Sequence, residues 1–78
     1  MHIKILGPGC PNCQTLERNT RQALDDGEFE ATIEKVEDMA DIMTYGVMST
    51  PSLVVDDEVL VTGRVPSAGD IRAMLAEQ

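Results

Sequence analysis

The run Gly7-Pro8-Gly9-Cys10-Pro11 separates two kinds of apolar spacing, so a strand must turn abruptly into a helix there. Before it, Ile3 and Ile5 alternate with His2 and Lys4, and Leu6 closes the segment. After it, Cys13, Leu16, Ala23 and Leu24 fall on one helical face, with Thr20 between them. Pro11 suits the first helical position because its missing N–H would be unpaired there anyway. That spacing makes Cys10 the N-cap and Cys13 the third helical residue.

The rest of the chain continues this alternation of elements. The first helix is expected to stop near Asp25-Asp26-Gly27. Phe29, Ala31 and Ile33 alternate with Glu30, Thr32 and Glu34, which predicts a strand with one wet face at a sheet edge. Asp38 can cap a second helix carrying Met39, Ile42 and Met43, with Gly46 as its stop. Pro51 biases Thr50 toward an extended backbone. Leu53-Val54-Val55 and Val59-Leu60-Val61 flank Asp56-Asp57-Glu58 and predict a hairpin. Ser67 with Asp70 starts a last helix, whose buried stripe is Ile71, Met74 and Leu75. The order β-α-β-α-β-β-α predicts an α/β fold in one domain over residues 1–78, with helices on both faces of the sheet. Phe29 and Tyr45 are the sole aromatics. The core must therefore use aliphatic residues, and Met39, Met43, Met48 and Met74 are expected to fill it.

A net charge of −8, with Lys4, Arg18, Arg21, Lys35, Arg64 and Arg72 scattered, argues against nucleic acid and anionic membranes as partners. The segment before Gly7 is too short and too polar for a signal peptide or a membrane span, so a cytoplasmic location is expected. Structural disulfides are unusual there. The spacing of the two cysteines in Cys10-Pro11-Asn12-Cys13 is therefore the main functional clue.

An N-cap side chain accepts hydrogen bonds from the amides of the second and third helical residues, here Asn12 and Cys13. Those amides and the helix dipole favour a thiolate, so Cys10 is the expected reactive sulfur, with a pKa below the free value of about 8.5. Cys13, one turn further in, is placed to resolve a mixed disulfide. A purely structural bridge is the weaker reading, because closing so short a loop stabilises a fold by only about 2 kcal/mol. The competing reading is metal carriage. Two thiolates suffice for Cu(I), whereas a closed zinc site needs four ligands and the chain adds only His2.

Gly9-Cys10-Pro11-Asn12-Cys13 after a first strand, Ser49-Thr50-Pro51 before an apolar hairpin, and Gly63 after it resemble the thioredoxin/glutaredoxin superfamily. The nearest likeness is to the very small thioredoxin-like proteins of bacteria and archaea called redox-active disulfide proteins. The resemblance covers nearly the whole chain. It implies a four-stranded mixed sheet in order 2-1-3-4 flanked by three helices. It also implies Cys10 as nucleophile and Cys13 as resolving cysteine, with Gly9, Pro11 and Asn12 in the active-site loop. Pro51 would be cis beside the pair, and Thr50 would offer backbone hydrogen bonds to a bound peptide. The implied activity is disulfide exchange with protein substrates by a monomer that needs no cofactor and is reset by a thioredoxin-reductase type of donor.

The departures bear on that donor. The Trp and the Gly-Pro spacer of thioredoxin are replaced by Gly9 and Pro11-Asn12, and its buried acid and lysine have no evident counterpart. The spacer aromatic, the upstream basic residue and the Gly-Gly pair of glutaredoxins are also missing. Thr62-Gly63-Arg64 stands where that pair would be. With Gly7, Pro8, Gly9 and Asn12 uncharged, a dedicated glutathione site is not expected. Arg64 and the start of the Ser67 helix remain as partial anchors.

Overall fold

A computed structural model describes residues 1–77. Seven elements follow in the expected order: β1 (His2–Leu6), α1 (Pro11–Gly27), β2 (Thr32–Val36), α2 (Met39–Met43), β3 (Ser52–Val55), β4 (Glu58–Thr62) and α3 (Ala68–Ala76). The strands form one mixed sheet in the order β2-β1-β3-β4. β1 pairs parallel to β2 and antiparallel to β3, which pairs antiparallel to β4. This is the thioredoxin-like arrangement of three helices around four strands.

Alternation sorts the side chains between two cores. Ile3 and Ile5 of β1 and Leu53 and Val55 of β3 face α1 and α3, where they pack with Leu16, Ala23, Ile71 and Leu75. Leu6 and Val54 point the other way and meet Val36 and Ile42. β3 is buried along its whole length, as a central strand covered on both sides should be, whereas the second face of β1 is apolar only at Leu6, which shares it with His2 and Lys4. The hairpin between β3 and β4 turns at Asp56 and Asp57, which both take positive φ, 49° and 68°. Aspartate tolerates that region better than most residues, so Asp-Asp serves where Asp-Gly is more usual. Leu60 is an extra residue in β4, since Leu53 pairs with Val61 and Val54 with Val59.

Two expectations need correction. The second strand begins at Thr32, not at Phe29. Thr32 already pairs with His2 at the start of β1, so no partner strand extends further back. The amide of Phe29 instead closes α1 by donating to the Leu24 carbonyl at 3.0 Å. That helix ends at Gly27, as the sequence predicts, and Glu28, at φ 55°, takes the left-handed cap. Gly27 has no room for a side chain because the Phe29 ring lies against it. Finally, Met39, Met43 and Met48 are not core filler. They are 54%, 68% and 97% exposed, while Met74 alone of the four is half-buried. The five-residue α2 has one inward position, and Ile42 occupies it.

Candidate active site

The C-terminal end of β1, the start of α1 and the loop before β3 meet around the cysteine pair. Cys10 is the N-cap of α1, in extended conformation, and its carbonyl accepts from the Gln14 amide at 3.0 Å. The amide of Cys13 donates to Cys10 Sγ at 3.3 Å. The Asn12 amide, expected as a second donor, makes no such bond, and the Asn12 residue is exposed. Cys10 and Cys13 are joined as a disulfide with Cα atoms 5.0 Å apart. Cys10 is half-exposed, whereas Cys13 is only 5% exposed. One sulfur faces solvent and the other lies beneath it.

Three backbone features hold this arrangement. Gly7 is buried, its amide donates to the Val36 carbonyl at 2.9 Å, and a Cβ on it would overlap Cys13 Sγ. The Thr50-Pro51 bond is cis, and Pro51 Cα lies 3.8 Å from where that same Gly7 Cβ would sit. Pro51 is buried and half-buried Thr50 adjoins it. Gly63, at φ 67°, donates to the Pro51 carbonyl at 2.9 Å and presses on Ser49, 2.8 Å from the position of a would-be Cβ. The glycine after the hairpin thus clamps the loop that carries Thr50 and Pro51.

Charged groups also reach the site, contrary to the sequence reading. A cavity of about 240 Å³ beside Cys13 is lined by Gly7, Gly9 and the side chains of Glu17, Lys35 and Glu37. Glu17 is one helical turn beyond Cys13. Lys35 lies at the end of β2 and Glu37 just beyond it, where the parallel pairing brings them alongside the end of β1. The i, i+4 spacing of Cys13 and Glu17 was the available signal; the other two depend on register. Lys35 Nζ is 3.5 Å from Glu17, which also accepts from Arg21 at 2.9 Å. The Arg21 hydrogen bonds hold the Glu17 carboxyl below the usual carboxylate range; burial opposes them as the next largest effect, and the Lys35 charge adds to the lowering. Arg64 and Ser67 line a different hollow, together with Asp70. His2 sits at the opposite end of β1 from Cys10, bonded to Glu34 at 3.2 Å. Among the described residues, no three His, Cys, Asp or Glu side chains are grouped as metal ligands.

A family model described as a thioredoxin domain matches residues 1–76. The chain belongs to the thioredoxin family. It is 41% identical to a thioredoxin of Methanothermobacter thermautotrophicus over 97% of this chain and 99% of that protein. It is 34% identical to a thioredoxin of Methanocaldococcus jannaschii over 94% of this chain and 84% of that protein. With the cysteine pair at the head of α1, family membership makes the chain a thiol-disulfide oxidoreductase, working between disulfide substrates and a reductase-type donor. Nothing in the site favours the metal-carrier alternative. No helix among the described residues is long and apolar enough to cross a membrane.

Proposed function

We propose that Cys10 is the attacking thiolate and Cys13 the resolving thiol in the reduction of protein disulfides. The observation that carries this assignment is the difference in exposure: Cys10 can be reached from solvent and Cys13 cannot. Cys10 thiolate attacks one sulfur of the substrate disulfide, forming a mixed disulfide and releasing the other sulfur as a thiolate. Cys13 loses its proton and attacks Cys10 Sγ. The Cys10–Cys13 bond forms, the mixed disulfide breaks, and the second substrate sulfur leaves and is protonated. Two electrons and one proton pass from protein to substrate. A second dithiol, on a thioredoxin-reductase type of donor, reverses the sequence and restores the reduced pair.

Gly9, Pro11 and Asn12 shape the loop that presents Cys10, and Thr50 beside Pro51 offers its backbone to the substrate chain next to the disulfide. Lys35 is engaged by Glu17, so the cavity beside Cys13 supplies no free cation for the carboxylates of glutathione. That supports a reductase over glutathione as donor. We further assign the protein to the cytoplasm, as a monomer and a single domain, which fits a family match over residues 1–76 and a net charge of −8.

The test is to replace the resolving sulfur. Cys13→Ser should accumulate mixed disulfides with cellular proteins that dissolve on adding dithiothreitol, and Cys10→Ser should accumulate none. Adducts on Cys10→Ser and none on Cys13→Ser would reverse the two roles.

A further inference from the structure

Three charged side chains border the cavity beside Cys13, and two of them are paired with each other. Lys35 pairs with Glu17, and Glu17 also holds Arg21. Glu37 is the third. It stands just beyond β2, is exposed, and has no Lys, Arg or His within ion-pair distance among the described residues. Its Oε2 lies 3.1 Å from where a Cβ on Gly9 would be. Gly9 immediately precedes Cys10, so an uncompensated carboxylate rests against the residue that enters the N-cap of α1. No acidic side chain lies in the first turn of that helix.

The N-terminal end of a helix carries a partial positive charge that favours a thiolate at the cap. A carboxylate at the same end opposes the thiolate by like-charge repulsion. We propose that Glu37 is a positioning residue acting through Cys10: its charge destabilises the Cys10 thiolate and so makes the dithiol a stronger reductant. The sign follows from the charges of the two redox states. The disulfide is neutral and scarcely affected, whereas the thiolate-bearing reduced state is raised in free energy. Electrons leave it more readily. The other ionic groups on the cavity beside Cys13 are Glu17 and Lys35, with Arg21 bonded to Glu17; they are common to the parent and to any Glu37 variant, so the sign of the effect is set by the Glu37 charge.

This inference rests on the assignment of Cys10 as the attacking thiol, and its test separates the two. Alkylation by iodoacetamide is followed against pH in the reduced protein, with the modified cysteine identified by mass spectrometry. The ratio of reduced to oxidised protein is measured in dithiothreitol buffers. Glu37→Gln should move the alkylation profile to lower pH and raise the rate at pH 6 about two- to fivefold. One unit charge acting across several ångströms of partly wet protein has that effect. Glu37→Lys should move it further, and Glu37→Asp should return it toward the parent. Glu37→Gln should also enrich the reduced form at a given buffer ratio. In 1 M salt, where the Debye length is about 3 Å, the variants should converge. A packing role alone would give neither the charge ordering nor the salt dependence. Superimposable profiles with alkylation at Cys10 would overturn the role of Glu37. Alkylation at Cys13 would overturn the assignment of Cys10 and the role of Glu37 with it.

Discussion

Gly7 and Cys13 are packed so closely that the hydrogen of the glycine is the largest group the site accepts. A Cβ at Gly7 would overlap Cys13 Sγ and lie 3.3 Å from Cys13 Cβ. Gly7 is not among the glycines at positive φ, so its constraint is space and not backbone conformation. Gly7→Ala should therefore destabilise the protein by about 1–3 kcal/mol, the usual range for overpacking. Urea denaturation of the oxidised protein gives the figure. An unchanged midpoint would mean that the end of β1 yields without cost.

Gly63 is constrained twice, by its φ of 67° and by Ser49. Gly63→Ala should lose more than about 1 kcal/mol from conformation alone, with the collision against Ser49 adding to it. Ser49→Gly in the same chain should recover the steric part and leave the conformational part. A double-mutant cycle in urea measures the coupling. Strict additivity of the two changes would show that the Gly63–Ser49 contact carries no energy.

The methionines should divide by exposure when the protein is treated with hydrogen peroxide. Met39, Met43 and Met48 should become sulfoxides well before Met74, as peptide mass mapping would show. Because the first three are outside the core, their oxidation should leave the melting temperature nearly unchanged. A steep loss of stability at three sulfoxides per chain would contradict their exposed placement.

Glu17 gives a pH dependence of defined sign. Its carboxyl is held low in the folded protein by Arg21 first and Lys35 second. The stability this contributes is complete above the unfolded carboxylate value of about 4.3. It disappears as the pH falls through the lower folded value. Both cations are more than half exposed, so the contribution should not exceed about 1 kcal/mol. Glu17→Gln should thus be less stable than the parent at pH 7, and the gap should close at acidic pH. Urea midpoints at the two pH values test it; a gap that widens on acidification would refute the sign.

Element order, the N-cap at Cys10 and the edge position of β2 were legible because each rests on local chemistry: alternation, a proline at a helix start, wet faces on a strand. The cis proline and the strand order came through the family resemblance, since neither is written in local spacing. What escaped the sequence was set by pairing and by size. The true start of β2 depends on where β1 begins, a contact some thirty residues away in the chain. Met39 and Met43 sit at helical spacing, yet a helix as short as α2 buries only Ile42. Lys35 and Glu37 reach the cysteines because β1 and β2 run parallel, and nothing in their own neighbourhoods announces it; Glu17 alone of the three was legible, from its i, i+4 spacing to Cys13.

The half-exposed Cys10 above a buried Cys13 has a kinetic corollary. If every exchange passes through the accessible sulfur, donor and acceptor must take turns at one doorway, and no ternary complex can form. Turnover plotted against either partner at several fixed levels of the other should give parallel double-reciprocal lines. Each partner should inhibit by crowding out the other when in excess. A molecule of this size has surface for one such appointment at a time, and the depth difference between its two sulfur atoms sets the schedule.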